Sequence, residues 1–243
     1  MGNMFSYASS FNGDLSKWDV SNVEMTHYMF FHASTFDGDL SKWDMTWVQS
    51  VQGMFKCASK FNGDISEWYM SSVTDMSGMF FSAKSFNCDI SKWDVSKATN
   101  MVGVFQSASK FNADLSKWDV SKATNMANMF AFASSFNCDI SQWDVSRVIS
   151  MVGQFQSARA FDHDISKWDV SHVVSMYSMF EDATSFKQKL CGAPWSESLA
   201  NKKNMFAGSS GSISRMDATT GCTTTKPFES GSDLKSAVET CLK

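Results

Sequence analysis

Proline is almost missing from this chain. Of 243 residues only Pro194 and Pro227 are proline, and both lie in the last quarter. Residues 1–190 must therefore take their shape without corners of fixed φ, and the tail beyond them is a different kind of sequence. No apolar run approaches the ~20 residues of a membrane-spanning helix. The opening MGNMFSYASSFNG has no basic start and no apolar stretch, so no signal peptide is read. It enters a repeat in mid-unit, which makes an incomplete N-terminus the expectation. Positive charge is not in excess: 21 Lys and Arg stand against 25 Asp and Glu, a net charge of -4, the wrong sign for a nucleic-acid binder.

Histidine is scarce as well. His27, His32, His163 and His172 form no i, i+4 pair and recur in no column, so no metal site is expected. No nucleophile elbow, phosphate loop or zinc spacing occurs. The expectation is a protein that is not an enzyme and carries no cofactor. Cysteines number six. Cys88 and Cys138 sit two repeats apart, ~9–10 Å at strand spacing, beyond disulfide reach, and Cys57 is alone. A bond between Cys191 and Cys222 is expected to close a loop over the end of the array. That leans toward the extracellular space or an organelle lumen, although the compartment itself is not read.

What is abundant is repetition. LSKWDVS at 15–21 returns at 25-residue intervals as LSKWDMT, ISEWYMS, ISKWDVS, LSKWDVS, ISQWDVS and ISKWDVS. The column Leu15, Leu40, Ile65, Ile90, Leu115, Ile140, Ile165 precedes the Trp column from Trp18 to Trp168 and a Val or Met column from Val20 to Val170. Trp18 and Val20 are two apart, which places both on one face of a strand. The next column is Ser or Thr throughout, from Ser21 to Ser171, and reads as a helix N-cap. Apolar residues such as Val73, Met76, Met79, Phe80 and Ala83 then follow at helical spacing. The expected fold is an α/β solenoid. It is a leucine-rich-repeat-like array of strand-turn-helix units, with a parallel β-sheet on one face and helices on the other. Residues 1–190 form its seven or so units and 191–206 a degenerate terminal unit. Residues 207–231 read as a Gly/Ser/Thr-rich linker. In 232–243, Leu234, Ala237, Val238, Cys241 and Leu242 mark an amphipathic helix.

The unit VTDMSGMFFSAKSFNCDISKWDVS (73–96) resembles the BspA-like leucine-rich repeats. It looks closest to the type found in Mycoplasma surface lipoproteins and marine microalgal proteins. The resemblance runs over residues 1–190 through the string M-x-x-M-F-x-x-A-x-x-F-N-x-D-[IL]-S-x-W-D-V-S. It implies a solenoid with binding or adhesive roles and no catalytic residues.

Outward-facing positions supply two ladders, one containing Lys17, Lys92 and Lys117 and the other Asp19, Asp94 and Asp119. They read either as a mutually neutralising charged face or as a groove for a cation or polar ligand. Aromatic residues that break their columns are the other candidates: Phe31, Trp47, Tyr69, Phe81 and Phe132. With Leu234 and Val238 of the tail they mark a protein-partner surface. The functional expectation is a non-catalytic protein-binding scaffold, a structural or linker subunit in a homo-oligomer or larger complex. The alternative is a cell-surface adhesion protein that binds through a concave sheet face.

Overall fold

A computed structural model describes residues 1–217 and 221–224 of the chain. The 25-residue period organises all of residues 1–188, but its units are neither strand nor helix. Among the described residues, regular elements occur only near the end: β1 (Lys189–Cys191), α1 (Ala193–Ser196), β2 (Ser212–Asp217) and β3 (Gly221–Thr224). The α/β solenoid with a parallel sheet and a layer of helices is thus not formed. Each unit is a series of tight turns.

The supposed strand fails for a local reason. In the third unit the Trp68 amide donates to the Ile65 carbonyl at 3.2 Å and the Val73 amide to Met70 at 2.9 Å. Leu-x-x-Trp is therefore a four-residue turn, and a second turn follows directly. Aspartates brace both turns in every unit but the third, where Tyr69 stands at the second. Asp89 Oδ1 accepts the Ser91 amide at 2.9 Å and Asp94 Oδ1 accepts the Ser96 amide at 3.0 Å. Such Asx turns offer the backbone an alternative to a ladder. The Ser/Thr column is accordingly not a helix cap. Its amide is the group being held.

The supposed helix fails because two residues per unit adopt left-handed φ: Gly53 at 58° and Cys57 at 61°, Gly78 at 60° and Ser82 at 56°, Gly103 at 59° and Ser107 at 60°. An α-helix of L-residues does not hold such residues in series. The amides of Met54, Lys56 and Ala58 donate to the carbonyls three residues back, at 3.0 Å each. The alternate amides, of Val51, Gly53, Phe55 and Cys57, donate to Asp75, Ser77, Met79 and Phe81 of the next unit at 2.7–3.0 Å. Every second amide thus closes a turn and every other one ties neighbouring units, so the backbone's hydrogen-bonding needs are met without regular elements. A row of parallel bridges joins Met25, Ser50, Asp75, Asn100, Asn125, Ser150, Ser175 and Asn201 in succession.

Side chains repeat the stacking. Phe55 lies on Phe30 and Phe80 of its neighbours, at 5.4 and 5.7 Å between ring centres, and on Phe61 of its own unit at 3.8 Å. These rings are fully buried. The Asn or Asp beside the second Phe reaches forward to the next unit. Asn62 Oδ1 accepts the Asn87 amide at 2.7 Å, and Asn87 Oδ1 accepts that of Asn112 at 2.8 Å.

At the far end the step lengthens by one residue. Ser175 bridges Asn201, and Phe180 stacks on Phe206 at 5.6 Å. β2 then runs parallel to β1, and β3 pairs antiparallel to β2. The stretch read as a linker, 207–231, holds these two strands. Cys191 is disulfide-bonded, while Cys57, Cys88 and Cys138 are free. The side chain of Cys222 and the expected helix with Leu234 and Val238 lie outside the described residues. No helix among the described residues is long and apolar enough to cross a membrane.

Candidate functional site

Columns place like residues side by side, so a site can arise only where a column changes character. One such place is the outer edge of the left-handed turns. Phe31, Lys56 and Phe81 occupy successive positions of one column. The Lys56 ammonium stands 4.7 Å from the centre of the Phe81 ring and 5.7 Å from that of Phe31. Cations over ring faces are held electrostatically. Tyr28 meets Phe31 edge-on at 5.6 Å, and Tyr7 meets it at 4.9 Å.

Beside this column runs a groove of about 610 Å³ lined by Tyr28, Lys56, Phe81, Gln52, Gln106 and Asn100, among others. Its floor is the glycine column Gly53, Gly78 and Gly103. The groove exists because these left-handed positions carry no side chain. A Cβ at Gly53 would fall 2.4 Å from the Tyr28 ring, so Tyr28 covers that glycine and closes one end. Over Gly78 a Cβ would meet nothing nearer than 3.9 Å, so the floor is open there. The amides of Gly78 and Gly103 are spent on Val102 and Ala127 of the next units, at 2.8 and 2.9 Å.

Phe31 and Phe81 are thus brought together around one cation. The other aromatic exceptions are not. Trp47 is 64% exposed and Tyr69 71% exposed, on the Asx-turn side of the stack, and Phe132 lies in the second left-handed column. The ladder aspartates Asp19, Asp94 and Asp119 each accept the amide of the Ser two residues on, at 3.0 Å. Lys92 pairs with Glu67 at 2.6 Å rather than with Asp94, and Lys17 and Lys117 make no ion pair among the described residues. The Ser96 hydroxyl and then its amide hold the Asp94 carboxyl below the ordinary range. Burial pushes the Cys88 and Cys138 thiols up, which makes them poor nucleophiles. Among the described residues no three His, Cys, Asp or Glu side chains gather as a metal site.

A family model described as "Mycoplasma protein of unknown function, DUF285" matches residues 1–88, 63–158 and 118–218. The chain belongs to the DUF285 family. The three overlapping matches cover nearly all of the stacked turns, so the repeat found in the sequence is the family's repeat. No curated protein and no solved structure matches the chain.

Sequence reasoning missed Tyr28, Lys56, Gln106 and the glycine floor. A signal was present: glycine recurs at 53, 78, 103 and 153 inside a pattern taken for helix. Glycine kept in one column is what a positive φ demands.

Proposed function

We propose that this DUF285 chain is a non-catalytic repeat scaffold that holds a protein partner on its left-handed turn face, as a structural or linker subunit of a larger assembly. The observation that carries it is the Phe31–Lys56–Phe81 column beside an open groove. It is a place where the array differs from itself and can specify one register. Uniform columns cannot do that, since each side chain has nearly the same surroundings as the next. Large aromatic anchors also dominate interface energetics, while exposed charges contribute little.

A second reading is adhesion at a cell surface. The resemblance of the repeat string to BspA-like proteins favours it. So does the disulfide at Cys191, because such bonds persist in oxidising compartments. The sheet face on which that reading first rested does not exist, so here too the turn face is the candidate surface.

The test compares two double variants in a pull-down from native extract, with native mass spectrometry of the captured complex. Phe31→Ala with Phe81→Ala is expected to lose the partner, and Lys92→Ala with Asp94→Ala to keep it. The reverse result, or a chain that remains a lone monomer in native extract, rejects the scaffold reading.

A further inference from the structure

The groove has a charge pattern of its own. Thirteen residues line it, and Lys56 is the single charged one, with no carboxylate among them. This stands out on a chain of net charge -4. The Lys56 ammonium is also unspent: it makes no ion pair or hydrogen bond among the described residues, and two ring faces fix where it stands. Gln52 and Gln106 likewise have side-chain amides without a hydrogen-bond partner among the described residues, and the Ser77 hydroxyl is buried without one. A held cation surrounded by unused donors complements an anion. Its positioning entropy is already lost before binding, which favours affinity.

From this we infer that the groove takes an extended, acidic segment of the partner protein, with an Asp or Glu carboxylate on Lys56. The inference rests on the turn-face reading above and names the chemistry of its ligand. An extended segment fits the dimensions. From Tyr28 to Asn125 the groove crosses four unit steps, ~19 Å at ~4.8 Å each, the length of about six extended residues. Apolar neighbours of the acidic residue would lie on Tyr28 and Phe81, and side-chain amides rather than floor amides would meet its backbone. Edge-strand addition is ruled out at Gly78 and Gly103, whose amides already serve the stack.

The experiment is selection of a random peptide library on the full chain, followed by titration of the enriched peptides. Lys56→Met keeps the hydrocarbon stem between the rings and removes the charge. Enriched peptides are expected to carry Asp or Glu next to an aromatic or aliphatic residue. They should lose about tenfold or more in affinity on Lys56→Met, and likewise when their acidic residue becomes the amide. The variant's melting temperature should stay within about 2 °C of the parent. Three results overturn the inference: enrichment without acidic residues, binding indifferent to Lys56→Met, or no enrichment over the bare support. Displacement by glucuronate or inorganic phosphate at the peptide's own potency also overturns it, since the groove would then be a small-anion site. In the first two cases the turn-face reading survives if Phe31→Ala with Phe81→Ala still abolishes capture of the partner.

Discussion

The indole Nε1 of Trp93 donates to the carbonyl of Ile65, 2.9 Å away in the preceding unit, and that carbonyl also closes the Ile65–Trp68 turn. The same bond recurs from Trp43 to Leu15, Trp68 to Leu40, Trp118 to Ile90, Trp143 to Leu115 and Trp168 to Ile140, at 2.9–3.1 Å. Tryptophan suits this column because its large ring fills the core while its indole N–H reaches the carbonyl of the preceding unit.

Trp93→Phe should therefore cost more than the lost ring area. The ring would leave a void, and the Ile65 carbonyl would lose a buried partner. A loss of about 1–3 kcal/mol is expected, read by urea unfolding. A variant as stable as the parent would show that the indole bond contributes nothing.

Gln154 should be replaceable at a gain. It is fully buried in a column that otherwise holds Met4, Met29, Met54, Met79, Val104, Met129 and Met179. Its Nε2 finds only the Met126 sulfur at 3.8 Å, and its Oε1 finds no partner. Gln154→Met removes an unsatisfied buried amide at nearly constant volume. A gain of about 1–3 kcal/mol in unfolding free energy is expected; a loss would mean that the amide has a partner in solution.

The columns were legible because stacking demands identity, whatever the backbone does. Repeat length, stacking, and buried Phe, Trp and Met columns follow from the period alone. The backbone class did not follow. Consecutive turns return apolar residues to one side every three or four positions, as a helix does, so Met76, Met79, Phe80 and Ala83 fit both. The deciding marks were Asp-x-Ser twice per unit, as at Asp89 and Asp94, and glycine at 53, 78 and 103. Likewise Phe31 and Phe81 stood out as exceptions, while Lys56, the residue they flank, looked like an ordinary surface lysine.

Acid should unfold the stack through its Asx turns. The carboxyls of Asp39, Asp64, Asp89 and Asp139 are held below the ordinary 3.8, first by the amide of the following Ser and then by its hydroxyl. At Asp44, Asp94, Asp114, Asp144 and Asp169 the hydroxyl of the following Ser or Thr comes first. A depressed folded-state value means the contribution is complete above the unfolded value and is lost as pH falls through the folded one. The melting temperature should stay level from neutral pH to about 5 and drop below about 4. A drop centred near pH 6 would point to histidine instead, and none at acid pH would empty the argument.

Tyr69 gives the same idea its sharpest test. In the other units an aspartate stands two residues before the Ser or Thr and accepts its amide, as Asp44 does for Thr46 at 2.9 Å and Asp94 for Ser96 at 3.0 Å. The third unit has Tyr69 there, 71% exposed, so Ser71 has no such carboxylate. Tyr69→Asp should supply the missing carboxylate for the Ser71 amide and stabilise the chain by up to about 1 kcal/mol, since the site is solvated. Asp94→Ala should cost a similar amount. If the Asx turns matter to the fold, the two changes move the urea midpoint in opposite directions. The Tyr69→Asp gain should then shrink as pH falls below about 4, where the new carboxylate begins to take up a proton. Should Tyr69→Asp destabilise at neutral pH, the tyrosine holds contacts of its own, and the break in the aspartate column marks a surface rather than a lapse in the repeat.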